Sequence, residues 1–266
     1  MRAIGLMYHD VVPPGQPGAS GFVHPWADHY KLDIDEFRRH LDALHASAAR
    51  DAITTVDHAD FGRTASPVFL TFDDGGLSAR TIVAGWLEER GWRGHFLITT
   101  DWIGRPGFLD AAGLQDLRRR GHVVGSHSCS HPTRMAACGP AELRREWHES
   151  AARLSEILGE PVTTASVPGG YYSRAVAEAA SAAGIRYLFT SEPTQSVRSI
   201  NGCLVVGRYV LVTGTSATEA AGLASGPGWF RWRQRMLWTA KKTAKAVGGS
   251  WYVSARRRLG PPPRAR

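Results

Sequence analysis

Short apolar runs alternate along the chain with longer segments whose apolar positions recur at helical spacing. Ala3–Val12 reads as a strand stopped by Pro13-Pro14-Gly15, and residues 13–31, rich in Gly, Pro and His, read as a long loop. Asp33 is placed to cap a helix over Asp35–Ala49, where Phe37, Leu41 and Leu44 share a face. Pro67–Phe72 is an apolar strand that runs into two aspartates, and Ser78–Arg90 predicts a helix with Ile82, Trp86 and Leu87 on one side. The pattern continues as strand Gly94–Thr99, helix Asp110–Arg120, strand Gly121–Ser126, long helix Pro140–Leu158, strand Val162–Val167 and helix Ser173–Ala183. Arg186–Thr190 and Leu204–Val212 are further strands. Such alternation predicts βαβ units around a parallel sheet. The strands fall short of eight, so the expected fold class is α/β, a distorted or incomplete (β/α) barrel. No repeat of fixed period is visible.

Composition changes this picture little, but charge does. The chain has 266 residues, 43% hydrophobic and 21% charged, as ordinary globular proteins do. Its net charge of +8 is unevenly placed. Eleven of the 32 Lys and Arg residues fall in 228–266, which holds no Asp or Glu, so the remainder carries 21 basic against 24 acidic side chains. That body is not expected to bind nucleic acid. The expected organisation is a catalytic domain over residues 1–226 and, over 227–266, a basic, aromatic-rich C-terminal helix with a disordered tail ending in Gly260-Pro261-Pro262-Pro263. Trp229, Phe230, Trp232, Trp238, Trp251 and Tyr252 interleave there with Arg231, Arg233, Arg235, Lys241, Lys242 and Lys245. This suits an anionic membrane surface, and equally a helix packed on the barrel with its charges in solvent. No apolar run reaches the ~18 residues of a membrane span. The apolar stretch at Met1–Met7 is too short for a secretory signal, so a cytoplasmic location, peripheral to the inner membrane face, is expected. The three cysteines are irregularly spaced and imply no disulfide framework.

The candidate chemistry lies in two stretches, Thr71-Phe72-Asp73-Asp74-Gly75 and His127-Ser128-Cys129-Ser130-His131. Both follow strand ends, where barrels carry their active sites. Strand alternation would turn the Asp73 and Asp74 side chains to opposite sides, one toward a metal and one toward substrate. Asp74, His127 and His131 form a two-histidine, one-carboxylate set that leaves coordination positions open. A divalent ion there acts as a Lewis acid and lowers the pKa of water from about 15.7 toward 7. Asp73 is then placed to take the water proton. Zinc is the first choice of metal, and cobalt, nickel or iron fit the same ligands. Cys129, between the histidines, reads as a small buried turn residue.

The same motifs resemble those of the polysaccharide deacetylases of carbohydrate esterase family four. Thr71–Gly75 matches that family's Thr-Phe-Asp-Asp-Gly motif and 127–131 its His-Ser/Thr-x-x-His motif. The resemblance covers about residues 1–215. It implies a distorted (β/α) barrel, hydrolysis of an N-acetyl group from an amino sugar, Asp73 as base, and Asp74, His127 and His131 as metal ligands. Downstream the match weakens. The family's third motif carries an arginine that positions the catalytic aspartate, but Ser166-Val167-Pro168-Gly169-Gly170-Tyr171 has Ser166 there, so tuning of the base is expected to differ. Pro168, Gly169 and Gly170 are substrate-side candidates, and the Tyr171 N–H is the candidate oxyanion donor. The family's C-terminal Leu-x-Leu-His is absent, since Tyr209-Val210-Leu211-Val212-Thr213 has no histidine. Leu6-Met7-Tyr8-His9 offers one at the other end of the chain, and a barrel sets first and last strands side by side. His9 is therefore the candidate general acid, in a variant resembling exopolysaccharide-associated members. Asp10 would either orient His9 or cap the next turn, while His24, Trp26 and His29 in the long loop are placed to line a sugar groove. The partner expected is an N-acetylated saccharide. The alternatives are a related C–N hydrolase of non-sugar amides and a non-catalytic glycan-binding module.

Overall fold

The computed structural model describes residues 1–22, 27–62, 66–226, 228–240 and 242. Eleven strands are β1 (Ile4–Tyr8), β2 (Asp10–Val12), β3 (Lys31–Asp33), β4 (Val68–Asp74), β5 (His95–Ile98), β6 (Val123–Ser126), β7 (Thr164–Ser166), β8 (Tyr187–Phe189), β9 (Arg198–Ile200), β10 (Cys203–Val206) and β11 (Arg208–Val210). The helices are α1 (Ile34–Ala46), α2 (Ala84–Glu88), α3 (Ala111–Arg119), α4 (Pro140–Leu158), α5 (Arg174–Ala182) and α6 (Ala217–Ala224). Nine strands form one sheet in the order β11-β1-β4-β5-β6-β7-β8-β10-β9, and β2 pairs with β3 apart from it. Ladders within the large sheet are parallel except β9 on β10. All seven residues of β4 are buried, which is why that strand reads as a continuous apolar run: a central parallel strand is covered on both faces.

A single residue, Gly207, separates β10 from β11, although they lie near opposite ends of the strand order. Successive Cα atoms are about 3.8 Å apart, so the sheet must curl until its ends meet. The fold is thus a distorted, incomplete (β/α) barrel, joined at its seam by the covalent chain. A Cβ on Gly207 would lie 2.4 Å from the Glu192 carbonyl oxygen, so this crossing requires glycine.

Helix boundaries follow the caps. Asp33 accepts from the Glu36 N–H at 2.7 Å and Asp110 from the Gly113 N–H at 2.8 Å. The span of α4 coincides with its expectation because Pro140 opens it and Gly159, at φ 74°, closes it. Four expectations need correction. Ala3–Val12 is two strands that break at His9, β1 in the large sheet and β2 outside it. Leu204–Val212 divides at Gly207. Ser78–Arg90 opens with wide π turns over Ala79–Val83 before α2. The pattern missed β9, an exposed edge strand, and α6, whose small residues show little periodicity.

Residues 228–240 are helical. This segment packs Phe230 against the core, and Gln234 bonds both the N–H and C=O of Val210 on the edge strand β11, at 3.1 and 2.7 Å. Lys241, Lys245, Trp251 and Tyr252 lie outside the described residues. Among the described residues, no helix is long and apolar enough to cross a membrane.

Candidate active site

Asp73 and Asp74 end β4, where alternation would send them to opposite sides. Asp74 instead adopts φ 77°, a left-handed conformation that breaks the alternation. Both carboxylates consequently face one imidazole: His127 Nε2 lies 3.4 Å from Asp74 Oδ1 and 3.9 Å from Asp73 Oδ2.

The histidines follow β6 in a loop, not a helical turn. Ser128 and His131 have φ of 67° and 60°. Such backbone persists only where its surroundings hold it. Here Ser126 Oγ accepts from the Ser128 N–H at 3.0 Å and Ser128 Oγ from the His131 N–H at 3.1 Å. The buried carboxylate of Glu146, on α4, accepts from the N–H groups of Cys129 and Ser130 at 3.0 and 2.8 Å, and from the Ser130 hydroxyl at 2.7 Å. Trp102 stacks on His131 at 5.3 Å. His131 Nε2 thereby comes 3.5 Å from Asp74 Oδ1. One donor atom from each of Asp74, His127 and His131 lies within 4.8 Å of the others.

The donor set fits a divalent cation. Asp74 Oδ1 is buried without a hydrogen-bond partner although two imidazoles flank it. Burial, with Asp73 and Asp10, pushes Asp74 up to about 7 against the pull of His9 and Arg208. Burial also lowers both imidazoles, His127 to about 3. A cation among them would pair Asp74 Oδ1 and favour its ionised form, while imidazoles that burial keeps neutral are already in the form that binds a metal. Cys129 stands apart: burial raises its thiol to about 11, and it donates to Asp101 at 3.3 Å.

The arginine that the third motif lacks comes from another strand. Fully buried Arg208, on β11, donates Nη1 to Asp73 Oδ1 at 2.6 Å and Nη2 to Asp73 Oδ2 at 2.8 Å. Its Nη1 also reaches Thr71 Oγ1 at 3.1 Å, and its Nε the Thr190 carbonyl at 3.1 Å. The expectation of a differently tuned base is corrected accordingly. Burial alone would raise the Asp73 carboxyl, but Arg208 and His127 hold it well below the ordinary carboxylate range. Ser166 has taken a linking role. Its hydroxyl donates to Asp73 Oδ1 at 3.1 Å and accepts from His127 Nδ1 at 2.5 Å, which leaves the His127 lone pair on Nε2, toward Asp74. Room for the guanidinium stem comes from Gly5, which faces Arg208 across the β1–β11 ladder; a Cβ there would sit 2.5 Å from Arg208 Cγ. Sequence reading missed Arg208, yet a signal existed: one cation inside the apolar run Leu204–Val212 must find a buried partner.

His9 sits where β1 gives way to β2, its ring 4.6 Å from Tyr30 and its Nδ1 buried without a hydrogen-bond partner. Burial lowers its imidazole, and Asp74 and Asp73 oppose that lowering, so it shares the field of the two carboxylates. Asp10 resolves to the turn-holding alternative: its Oδ1 accepts from the Val11 N–H at 2.9 Å and from the Ser78 hydroxyl. Pro168–Gly170 form a short turn beyond Ser166, with Gly169 and Gly170 at φ 66° and 71°. A Cβ on Gly169 would meet the Thr133 carbonyl oxygen at 2.5 Å, so the turn lies tight against the loop after His131. Arg134, from that loop, lies over the Tyr171 ring at 5.4 Å. Trp26 and His24 lie outside the described residues.

Residues 62–188 match the family model described as polysaccharide deacetylase. Among solved structures, IcaB from Ammonifex degensii is 22% identical with a TM-score of 0.65, covering 84% of this chain and 97% of its own. Streptococcus pyogenes deacetylase PplD, solved in complex with acetate, is 17% identical with a TM-score of 0.64, over 82% of this chain and 95% of its own. A polysaccharide deacetylase from Bacillus cereus is 18% identical with a TM-score of 0.69, over 85% and 69%. At these identities the structural likeness establishes the fold.

Proposed function

Because residues 62–188 match a polysaccharide deacetylase model, we propose that the chain is a divalent-metal-dependent carbohydrate N-deacetylase. Its substrate would be an N-acetylated amino sugar in a glycan or a lipid-linked glycan precursor. One observation carries this reading: Asp73, kept ionised and oriented by Arg208, lies beside the Asp74–His127–His131 cluster. Those three residues would hold the cation, zinc first, with cobalt, nickel or iron fitting the same donors. A divalent cation held there supplies Lewis acidity, polarising a carbonyl and making nearby water more acidic.

The roles of the chain's own groups follow from their free valences. Asp73 Oδ1 accepts from both Arg208 and Ser166, whereas Oδ2 takes Arg208 Nη2 and retains a lone pair facing His127. Oδ2 is therefore the atom that removes a proton from the attacking water. The Tyr171 N–H, after two left-handed glycines, is assigned to the carbonyl oxygen as it gains charge. His9, lowered by burial against the pull of the two carboxylates, is assigned to deliver a proton to the amine nitrogen as the C–N bond breaks and acetate leaves. Pro168, Gly169, Gly170 and Trp26 are assigned to the sugar, and residues 1–226 to the catalytic unit. The missing arginine and the missing C-terminal histidine favoured a binding-only module, and Arg208 removes the first of these two arguments. The basic C-terminal segment, in this reading, brings a cytoplasmic enzyme to an anionic membrane surface.

Acetate release from a panel of N-acetylated oligosaccharides tests the activity. Metal-loaded wild type is expected to release acetate. Release from small non-sugar amides alone would replace the sugar reading, and no release from any substrate would favour a glycan-binding module. Near-wild-type turnover by metal-loaded His9→Ala would remove His9 as the acid.

A further inference from the structure

A second feature lies away from the carboxylates and histidines. A cavity of about 430 Å³ opens where residues 228–240 meet the start of β1. Arg2, Arg231, Arg235, Trp232, Tyr209 and Gln195 line it, and its lining holds no Asp or Glu. Among the described residues, none of the three arginines is in an ion pair, whereas twelve other arginines are, Arg233 of the same helix included. Two of the three are tethered through neutral acceptors. Arg231 donates to the carbonyl oxygens of Gly222, Leu223 and Gly226 at the end of α6, and Arg2 to Gln195 Oε1. Burial raises the Tyr209 phenol in the cavity wall, and Arg231, Arg235 and Arg2 all oppose the rise.

Beside the cavity the same helix exposes Trp229, Trp232, Met236 and Leu237, each half exposed or more. Positions 229, 232 and 236 repeat at helical spacing on one face. Trp229 and Trp232 stack on each other at 5.1 Å. This face cannot turn inward, because Phe230, Arg231 and Gln234 already bind the helix to the barrel. Converging guanidinium groups suit phosphate oxygens. Tryptophan beside them suits the layer between headgroups and acyl chains. The charge agrees, since residues 228–266 hold eleven basic and no acidic side chains.

We propose that the Arg2–Arg231–Arg235 cavity receives the phosphate of an anionic phospholipid headgroup while Trp229, Trp232, Met236 and Leu237 enter the interfacial layer beside it. The inference rests on the membrane-surface part of the proposed function and gives it a defined receptor. The test is co-sedimentation of the full chain with phosphatidylcholine vesicles, with and without phosphatidylglycerol. Wild type is expected to bind only the anionic vesicles. Arg2→Gln/Arg235→Gln should bind about 25-fold more weakly, a factor of about five for each basic residue at a membrane surface. The matched pair Arg256→Gln/Arg257→Gln, which removes the same charge elsewhere, should lose clearly less. Equal losses in the two pairs would overturn the cavity assignment but keep the membrane reading. Absence of wild-type binding would overturn both and leave acetate release untouched. Calorimetric binding of inorganic phosphate without vesicle binding would overturn the lipid source.

Discussion

Two groups of arginines in this protein meet opposite fates. Arg208 is wholly buried and spends its guanidinium on Asp73, Thr71 and the Thr190 carbonyl. Arg2, Arg231 and Arg235 surround a cavity and meet no carboxylate among the described residues. A guanidinium sealed from water must be matched inside, because an unmatched buried charge costs several kcal/mol. It then serves as a rigid part of the structure, holding Asp73 in charge and direction. A guanidinium at an open cavity, tethered at most through neutral acceptors as Arg2 and Arg231 are, keeps a charge that an anion brought from outside can match. The first kind shapes a site and the second is the kind proposed to receive a ligand.

The comparison can be broken at several points. Asp73→Asn should lower kcat by about 10²–10⁴-fold, the worth of a general base, with the metal still bound by metal analysis; turnover within a few-fold of wild type would remove Asp73 as base. Arg208→Met strands the Asp73 charge, so urea unfolding should show a loss of about 3–5 kcal/mol. A harmless Arg208→Met would mean that the pair is not the internal match argued here. Ser166→Ala frees the His127 ring and removes one donor to Asp73. Competition with a chelator should report metal affinity weaker by about 10–100-fold. Gly5→Ala presses on the Arg208 stem and should cost about 1–3 kcal/mol, with activity falling in parallel; loss of stability with full activity would show that the stem can shift without disturbing Asp73. At the small end, Arg2→Gln/Arg235→Gln should change stability by no more than about 0.5 kcal/mol. A larger loss would make these arginines structural, like Arg208.

Much of the fold was legible where the cause was local. Asp33 and Asp110 announce helix starts, and Pro140 with Gly159 marks both ends of α4, because caps act on backbone groups within a turn of themselves. The apolar run before Asp73 announces a central strand. Legibility failed where the chain changes partners without changing composition. Val206, Gly207 and Arg208 read as one strand, yet β10 pairs with β8 and β11 with β1. Hydrophobicity records that a residue is covered and not which strand covers it. The left-handed Asp74, a residue type that tolerates that conformation, was equally invisible and reversed the expected facing of its side chain.

The sequence by itself determined the candidate ligand set. Asp74 adjoins Asp73, and His127 and His131 share one short loop, so each pair is delivered by a single strand end however the rest packs. It also determined that a basic, aromatic segment follows the domain. Only the tertiary structure decided what holds Asp73 and where the arginines without a carboxylate partner gather. Arg208 lies 135 residues from Asp73 and reaches it because β11 lies beside β1, and β1 beside β4, with Gly5 leaving space between. Arg2 meets Arg231 and Arg235 because Phe230 and Gln234 dock the C-terminal helix near the start of the chain. Both outcomes depend on strand order and on which charge water is denied, and these are properties of the assembled barrel that no local pattern encodes.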